Sequence, residues 1–335
     1  MNGLEVRHLR YFVAVAEELN FSRAAGRLRV AQPSLSRAII GLERIVGARL
    51  FERSTRQVSL TAAGEALLVD ARLALDAVQA AGHRAARTGR GRPTLAVAAK
   101  PDGDAGLLAP VLAAVQREIP DLDIGLVFAS TGGEAAAMLR DGRADVALVP
   151  APFDDRGLDC QDVHSEPRVA ALPAAHPLAA GETVELADAL AQPVVSWPGV
   201  DADLAAFYQG HDCYPGPDCY QGDDRYQGDD PAAPRRASRG ARAPAGPPAA
   251  DLAQALRLVE LGRAITFLPV SVAARYRRPA IAYRPVPGLS HWRLRVAWAA
   301  TSRSRLVAAF VHAATTAEPA DTDSTSAPAP APAPA

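Results

Sequence analysis

The stretch AQPSLSRAIIGLERIVG, residues 31–47, leaves few options for the fold around it. Pro33 suits the first turn of a helix, where its missing N–H breaks no hydrogen bond and its fixed φ is already helical. Placed at 100° per residue, Leu35, Ile39, Leu42 and Val46 fall within an arc of about 60°. Pro33, Ser36, Arg37, Ile40 and Arg44 fall in a second arc of about 100°, centred roughly 140° from the first. One stripe serves a core and the other serves something outside it. A serine and an arginine near a helix amino end suit the DNA major groove, which admits a helix and lets a guanidinium fork onto guanine O6 and N7. On spacing alone, an ordinary solvated face is the alternative.

The flanking sequence favours the groove. Residues 5–19 carry Leu9, Phe12, Val13, Ala16 and Leu19 at helical spacing. Phe21 and then Ser22, read as an N-cap, open a short helix over 23–28, and 29–31 make the turn into the helix just described. RLFERSTRQVSLT (49–61) alternates apolar and polar residues on both sides of Ser54 and Thr55, which predicts a two-stranded wing carrying Arg53 and Arg56. Residues 1–62 hold ten arginines against five glutamates, a local excess of positive charge hidden by the chain's formal net charge of −1. Thr61 can cap a helix over 62–87 with Leu67, Leu68, Ala71, Leu75 and Val78 on one stripe. A rod of that length, roughly 35–40 Å, cannot bury the stripe alone. It either lies on its own domain or pairs with the same helix of a second chain, and pairing is favoured because the segment joins two domains.

TGRGRP (88–93) reads as a linker, after which short apolar strands alternate with helices: strands at 94–99, 123–129 and 145–150, helices at 105–118 and 133–141. This is the grammar of a parallel βαβαβ sheet. Strands at 167–179, 193–197, 264–269 and 294–300, with helices at 186–191, 251–262 and 303–314, continue it. In such sheets a ligand sits beyond the carboxyl ends of the strands. Lys100, the only lysine, and Asp102 follow the first strand, and Ser130 and Thr131 follow the second, with Glu134 completing a capping pattern. Ser196, Trp197 and Phe267 complete the candidate set, although the two aromatic residues are more often core than stacking surface. These groups predict a small effector, more anionic than cationic, between two subdomains.

Three cysteines and no apolar run long enough to cross a membrane fit a cytoplasmic protein without a secretory signal. No nucleophile elbow, phosphate loop, dinucleotide fingerprint or zincin motif is present, so no enzyme, catalytic residue, cofactor or metal is expected. Residues 208–231 repeat six residues four times, YQGHDC, YPGPDC, YQGDDR and YQGDDP, and the next stretch is rich in arginine. A flexible acidic-then-basic insert is the reading. Metal or redox sensing through His211, Cys213 and Cys219 is disfavoured, because their spacing is not that of a zinc ribbon.

Residues 4–64 match the pattern AA..L..AQPSLS..I..LE...G..LFER....LT.AG and resemble the winged helix-turn-helix of the LysR-type transcriptional regulators. The resemblance implies an α/β chain overall: a mostly helical DNA-binding domain (1–61), a linker and dimerisation helix (62–88), and an effector domain of two subdomains similar to periplasmic binding proteins. Subdomain I would comprise 93–163 and 264–314, and subdomain II 164–263 with the low-complexity insert 208–248. An Ala/Pro tail over 315–335 would be disordered. By motif position, Gln32, Pro33, Ser36 and Arg37 would approach bases, Arg53 and Arg56 the minor groove or backbone, and Ser22, Arg23 and Thr61 phosphates. The partners implied are double-stranded DNA, a small-molecule effector, and further copies of the chain in a homodimer or homotetramer, with no membrane. A ligand-independent architectural DNA-binding protein is the alternative, and an enzyme fused to a DNA-binding module a weaker one.

Overall fold

A computed structural model describes residues 3–53, 58–88, 93–200, 202–211 and 245–319. Two compact units divide the chain: one ends at Thr94 and takes in Ala137–Ala144, and the other is the remainder.

The first unit begins with α1 (Val6–Glu18), α2 (Phe21–Leu28) and α3 (Gln32–Val46). Short strands β1 (Phe51–Arg53) and β2 (Val58–Leu60) pair antiparallel, and α4 (Ala62–Thr88) follows. Phe12, Leu35, Ile39 and Leu42 are completely buried in one cluster, joined by Leu50 and Phe51 from the root of the wing. Each such side chain contributes roughly 1.5–3 kcal/mol on leaving water. Three local expectations are corrected. Asn20, not Ser22, caps α2: its side chain accepts from the N–H of Ser22 at 2.9 Å and of Arg23 at 3.0 Å. Leu19 leaves the apolar stripe, because it ends α1 in the left-handed conformation (φ 46°) and is exposed. Likewise Val46, one residue before the Gly47 C-cap (φ 77°), lies in solvent.

After Thr94 the chain continues through β3 (Thr94–Ala99), α5 (Leu108–Glu118), β4 (Asp123–Phe128), α6 (Gly132–Arg140), whose end from Ala137 belongs to the first unit, and β5 (Val146–Ala151). There follow β6 (Leu158–Glu166), β7 (Arg168–Pro173), α7 (Leu186–Leu190), β8 (Val194–Ser196), α8 (Ala202–Tyr208) and β9 (Ala245–Pro248). Then come α9 (Leu252–Glu260), β10 (Thr266–Pro269), α10 (Val270–Arg275), β11 (Ile281–Pro285), β12 (Trp292–Ala299) and α11 (Arg305–Thr316). One sheet has the order β4-β3-β5-β12-β6, another β10-β7-β11, and β8 pairs with β9.

The parallel grammar holds for β3 with β5 and for β8 with β9, but it does not continue to the end of the chain. β12 runs antiparallel to both β5 and β6, and β10 and β11 run antiparallel to β7. The expected return to subdomain I at residue 264 is also corrected. Thr266 faces Ala171 and Pro269 faces Arg168, so β10 belongs to the second sheet, as do α10 and β11, and the chain comes back only at β12. A run of four buried residues announces a strand, not which sheet it joins. Arg168 clips the two passages between the sheets: it donates to the Ser290 carbonyl at 2.8 Å, the Ser290 hydroxyl at 2.9 Å and the Phe207 carbonyl at 2.6 Å. The insert beyond His211, with Cys213 and Cys219, and the tail beyond Glu318 and Pro319 lie outside the described residues.

Candidate functional site

On α3 the two stripes separate as their angles require. Leu35, Ile39 and Leu42 are fully buried, whereas Gln32, Pro33, Arg37, Ile40 and Arg44 are exposed and Ser36 is half-buried. Arg37 Nε donates to the Pro33 carbonyl at 3.3 Å, which lays the guanidinium along the first turn of the helix. Behind this face Glu43 Oε1 accepts from the N–H of Leu50 at 2.9 Å and of Phe51 at 3.3 Å, fixing the wing to α3. Arg53 stands in β1, and Arg56 lies outside the described residues. Thr61, one of the implied phosphate contacts, is committed elsewhere. Its hydroxyl donates to the Arg49 carbonyl at 2.7 Å and accepts from Gly64 N–H at 3.0 Å, capping α4.

Ser22 and Arg23 lie exposed on the first turn of α2. Arg23 is held by α1: its Nε is 3.2 Å from Glu18 Oε2 and its Nη2 donates to the Glu18 carbonyl at 2.5 Å. Arg27 and Arg72 meet Glu17 at 2.8 and 3.0 Å. The sequence shows Glu17 and Glu18 as a charged end to α1, but nothing in helical periodicity shows which arginines they meet.

In the second unit, the carboxyl ends of β3 and β4 lie together, with Ala129 N–H donating to the Ala99 carbonyl at 3.0 Å. Lys100 and Asp102 stand at one end and Ser130 and Thr131 at the other. Lys100 Nζ is 3.4 Å from Asp102 Oδ2, and the Tyr276 hydroxyl donates to Asp102 Oδ1 at 2.6 Å. Arg275 Nη2 pairs with Asp104 at 3.0 Å. Tyr276 and Arg275 end α10 on the second sheet's side, so the two sheets meet at this edge through residues that sequence reasoning missed, because α10 carries no legible period. The Asp102 carboxylate, and then burial, push the Tyr276 phenol above its usual range. The capping pattern forms: Thr131 Oγ1 accepts from Glu134 N–H at 3.1 Å and Glu134 accepts from Ser130 N–H at 2.7 Å.

The remaining three candidates are engaged elsewhere among the described residues. Ser196 donates to the Gly246 carbonyl at 3.2 Å, and Trp197 packs against Tyr208 with ring centroids 5.5 Å apart. Phe267 is a core residue, buried with Leu289 and Val286. A cavity of about 530 Å³ opens elsewhere, between α11 and the β6–β12 edge, lined by Gln161, Trp298, Arg303 and His312 among others. It contains none of the predicted effector residues.

Comparison with known proteins matches both units. Residues 6–65 match the family described as bacterial regulatory helix-turn-helix protein, lysR family, and residues 88–216 match the LysR substrate binding domain. The HTH-type transcriptional regulator AlsR of Bacillus subtilis (strain 168) is 36% identical over 214 residues, 61% of this chain and 69% of that protein. The Hca operon transcriptional activator HcaR of Escherichia coli (strain K12) is 42% identical over 176 residues, 52% of this chain and 59% of that protein. Among solved structures, a full-length BenM point mutant has a TM-score of 0.51 at 24% identity, covering 93% of this chain and 95% of its own. A full-length OxyR variant from Pseudomonas aeruginosa has a TM-score of 0.50 at 22% identity, covering 93% of this chain and all of its own. At those identities the likeness is one of fold. Among the described residues, no helix is long and apolar enough to cross a membrane.

Proposed function

The chain belongs to the LysR family of bacterial regulatory helix-turn-helix proteins, and from that premise we propose that it is a sequence-specific, DNA-binding transcriptional regulator that answers to a small molecule. The observation that carries the proposal is the division of α3. Its aliphatic flank is sealed in the core while Gln32, Pro33 and Arg37 stand in solvent beside the wing. It catalyses no reaction, and its work is done in the cytoplasm.

The active form is a homodimer through α4, assembled further into a homotetramer. Leu67, Leu68, Ala71 and Leu75 pack on the unit's own core, yet Val69 and Leu73 remain exposed on another side of the same helix. That second strip supports pairing with a second copy.

The effector binds at the edge where β3, β4 and α10 converge. An anionic group there takes Lys100 from Asp102, and Asp102 is the residue that holds Tyr276 across from the other sheet. Differential affinity for two arrangements of the sheets is then what the effector contributes. Footprinting on the DNA upstream of the protein's own gene, with and without small carboxylates and aromatics chosen by thermal shift, tests the reading. A protected region whose extent changes with one such compound supports it, and so does a Lys100→Ala protein that binds DNA but no longer answers. Absence of any sequence-selective protection overturns the reading, and an unaltered response in Lys100→Ala overturns the effector site.

A further inference from the structure

Glu17 and Glu18 at the end of α1 do more than terminate a helix. Between them they face three arginines: Glu18 meets Arg23 at 3.2 Å and Arg27 at 3.6 Å, and Glu17 meets Arg27 at 2.8 Å and Arg72 at 3.0 Å. The side chains of Arg23 and Arg27 are 66% and 52% exposed, so neither needs these acids to satisfy a buried charge. In a helix-turn-helix the first helix crosses the DNA backbone while the second enters the groove. α2 is that first helix, and Arg23 lies on its first turn.

We propose that Glu17 and Glu18 determine the specificity of DNA binding by occupying the α2 guanidiniums in place of phosphate oxygens. The inference rests on the DNA-binding reading above. Carboxylate and phosphate present the same paired acceptors to a guanidinium, so one substitutes for the other. Non-specific affinity is almost wholly phosphate neutralisation. An arginine already facing a carboxylate therefore adds little attraction for DNA of arbitrary sequence. Exposed ion pairs are weak, so the exchange from Glu18 to a phosphate is easily made once α3 has engaged the right bases. The acids thus lower affinity for random duplex more than for a cognate site. Glu18 is the cleaner residue to test, because Glu17 also ties α4 to α1 through Arg72.

The test is fluorescence anisotropy of the full chain, over a range of salt concentrations, on the upstream duplex it protects and on a random duplex of equal length. Glu18→Gln is expected to bind the random duplex about two- to five-fold more tightly at low salt. Its plot of log affinity against log salt should be steeper by about 0.9, the value of one more neutralised phosphate. Its preference for the upstream duplex falls correspondingly, while Glu18→Asp, which keeps the charge, restores the wild-type slope. Random-duplex affinity and slope that stay unchanged or weaken in Glu18→Gln overturn the inference. Should that variant lose stability, Arg23→Gln together with Arg27→Gln in both backgrounds decides, since Glu18 meets both arginines: the steeper slope must disappear when Glu18 and both arginines are replaced, and a slope that survives overturns the inference as well. Failure of the underlying reading looks different, since the wild type would then prefer neither duplex.

Discussion

Arg37 and Leu35 are two residues apart, yet one is exposed and the other fully buried. The 100° advance of a helix accounts for that contrast, and the sequence alone reveals it. Arg37→Ala is expected to weaken binding at one base pair by roughly 1–3 kcal/mol without changing the affinity for random duplex to the same degree; competition with single-base variants of the protected site measures it. Gly64 closes the family pattern, but nothing in helical spacing shows why a glycine stands there. A Cβ there would run into the Leu50 carbonyl and lie 2.9 Å from Leu60 Cδ2, so the glycine lets the start of α4 close onto the wing. Gly64→Ala should cost about 1–3 kcal/mol of stability in denaturant unfolding; an unchanged midpoint would show that the contact relaxes freely. Tyr276 is invisible to sequence for a different reason, since its meaning depends on Asp102, 174 residues away. Its raised pKa fixes the sign of the pH effect. The stabilisation is complete below the ordinary phenol range and is lost as pH rises through the elevated value. Tyr208 is pushed up to about 12 by burial. Tyrosinate absorbance should therefore include late-titrating phenols, one fewer in Tyr276→Phe; an identical titration curve in that variant contradicts the assignment.

At the scale of elements, long periodic helices were legible and partnerships were not. The strands at 94–99 and the helices around 32–46 and 62–88 stand where their apolar spacing puts them. β6 escaped notice because LDCQDVHSE, at a sheet edge, needs few apolar residues, and β11 because IAYRP has no clear alternation. α4 shows the limit most clearly. Its stripe of Leu67, Leu68, Ala71 and Leu75 packs on the unit's own core, and only Val78 of the predicted set is exposed. The proposed pairing of copies rests instead on the strip holding Val69 and Leu73, four residues apart on one exposed side of the helix. Leu73→Glu should shift the sedimenting species toward monomer while helical content persists. A dimer of unaltered strength would place the interface elsewhere.

For the whole molecule, the two-unit plan follows from the change of grammar near residue 93, where helical spacing gives way to alternating strands and helices. The route of the chain between the two sheets of the second unit does not follow from sequence, because strand pairing is decided by contacts distant along the chain. That is why the return falls at β12 and not at residue 264, and why Phe267 serves a core and not the edge beside Lys100 and Asp102. DNA reading and effector response are separable claims, and the first is the foundation. Its most direct measurement compares wild type and Arg37→Ala on the protected upstream duplex and on a scrambled duplex of the same composition, at two salt concentrations. The account predicts a loss confined largely to the upstream duplex, with the salt dependence on scrambled DNA nearly unchanged. Equal losses on both duplexes would contradict it, for then the outward flank of α3 would attract the backbone without reading the bases.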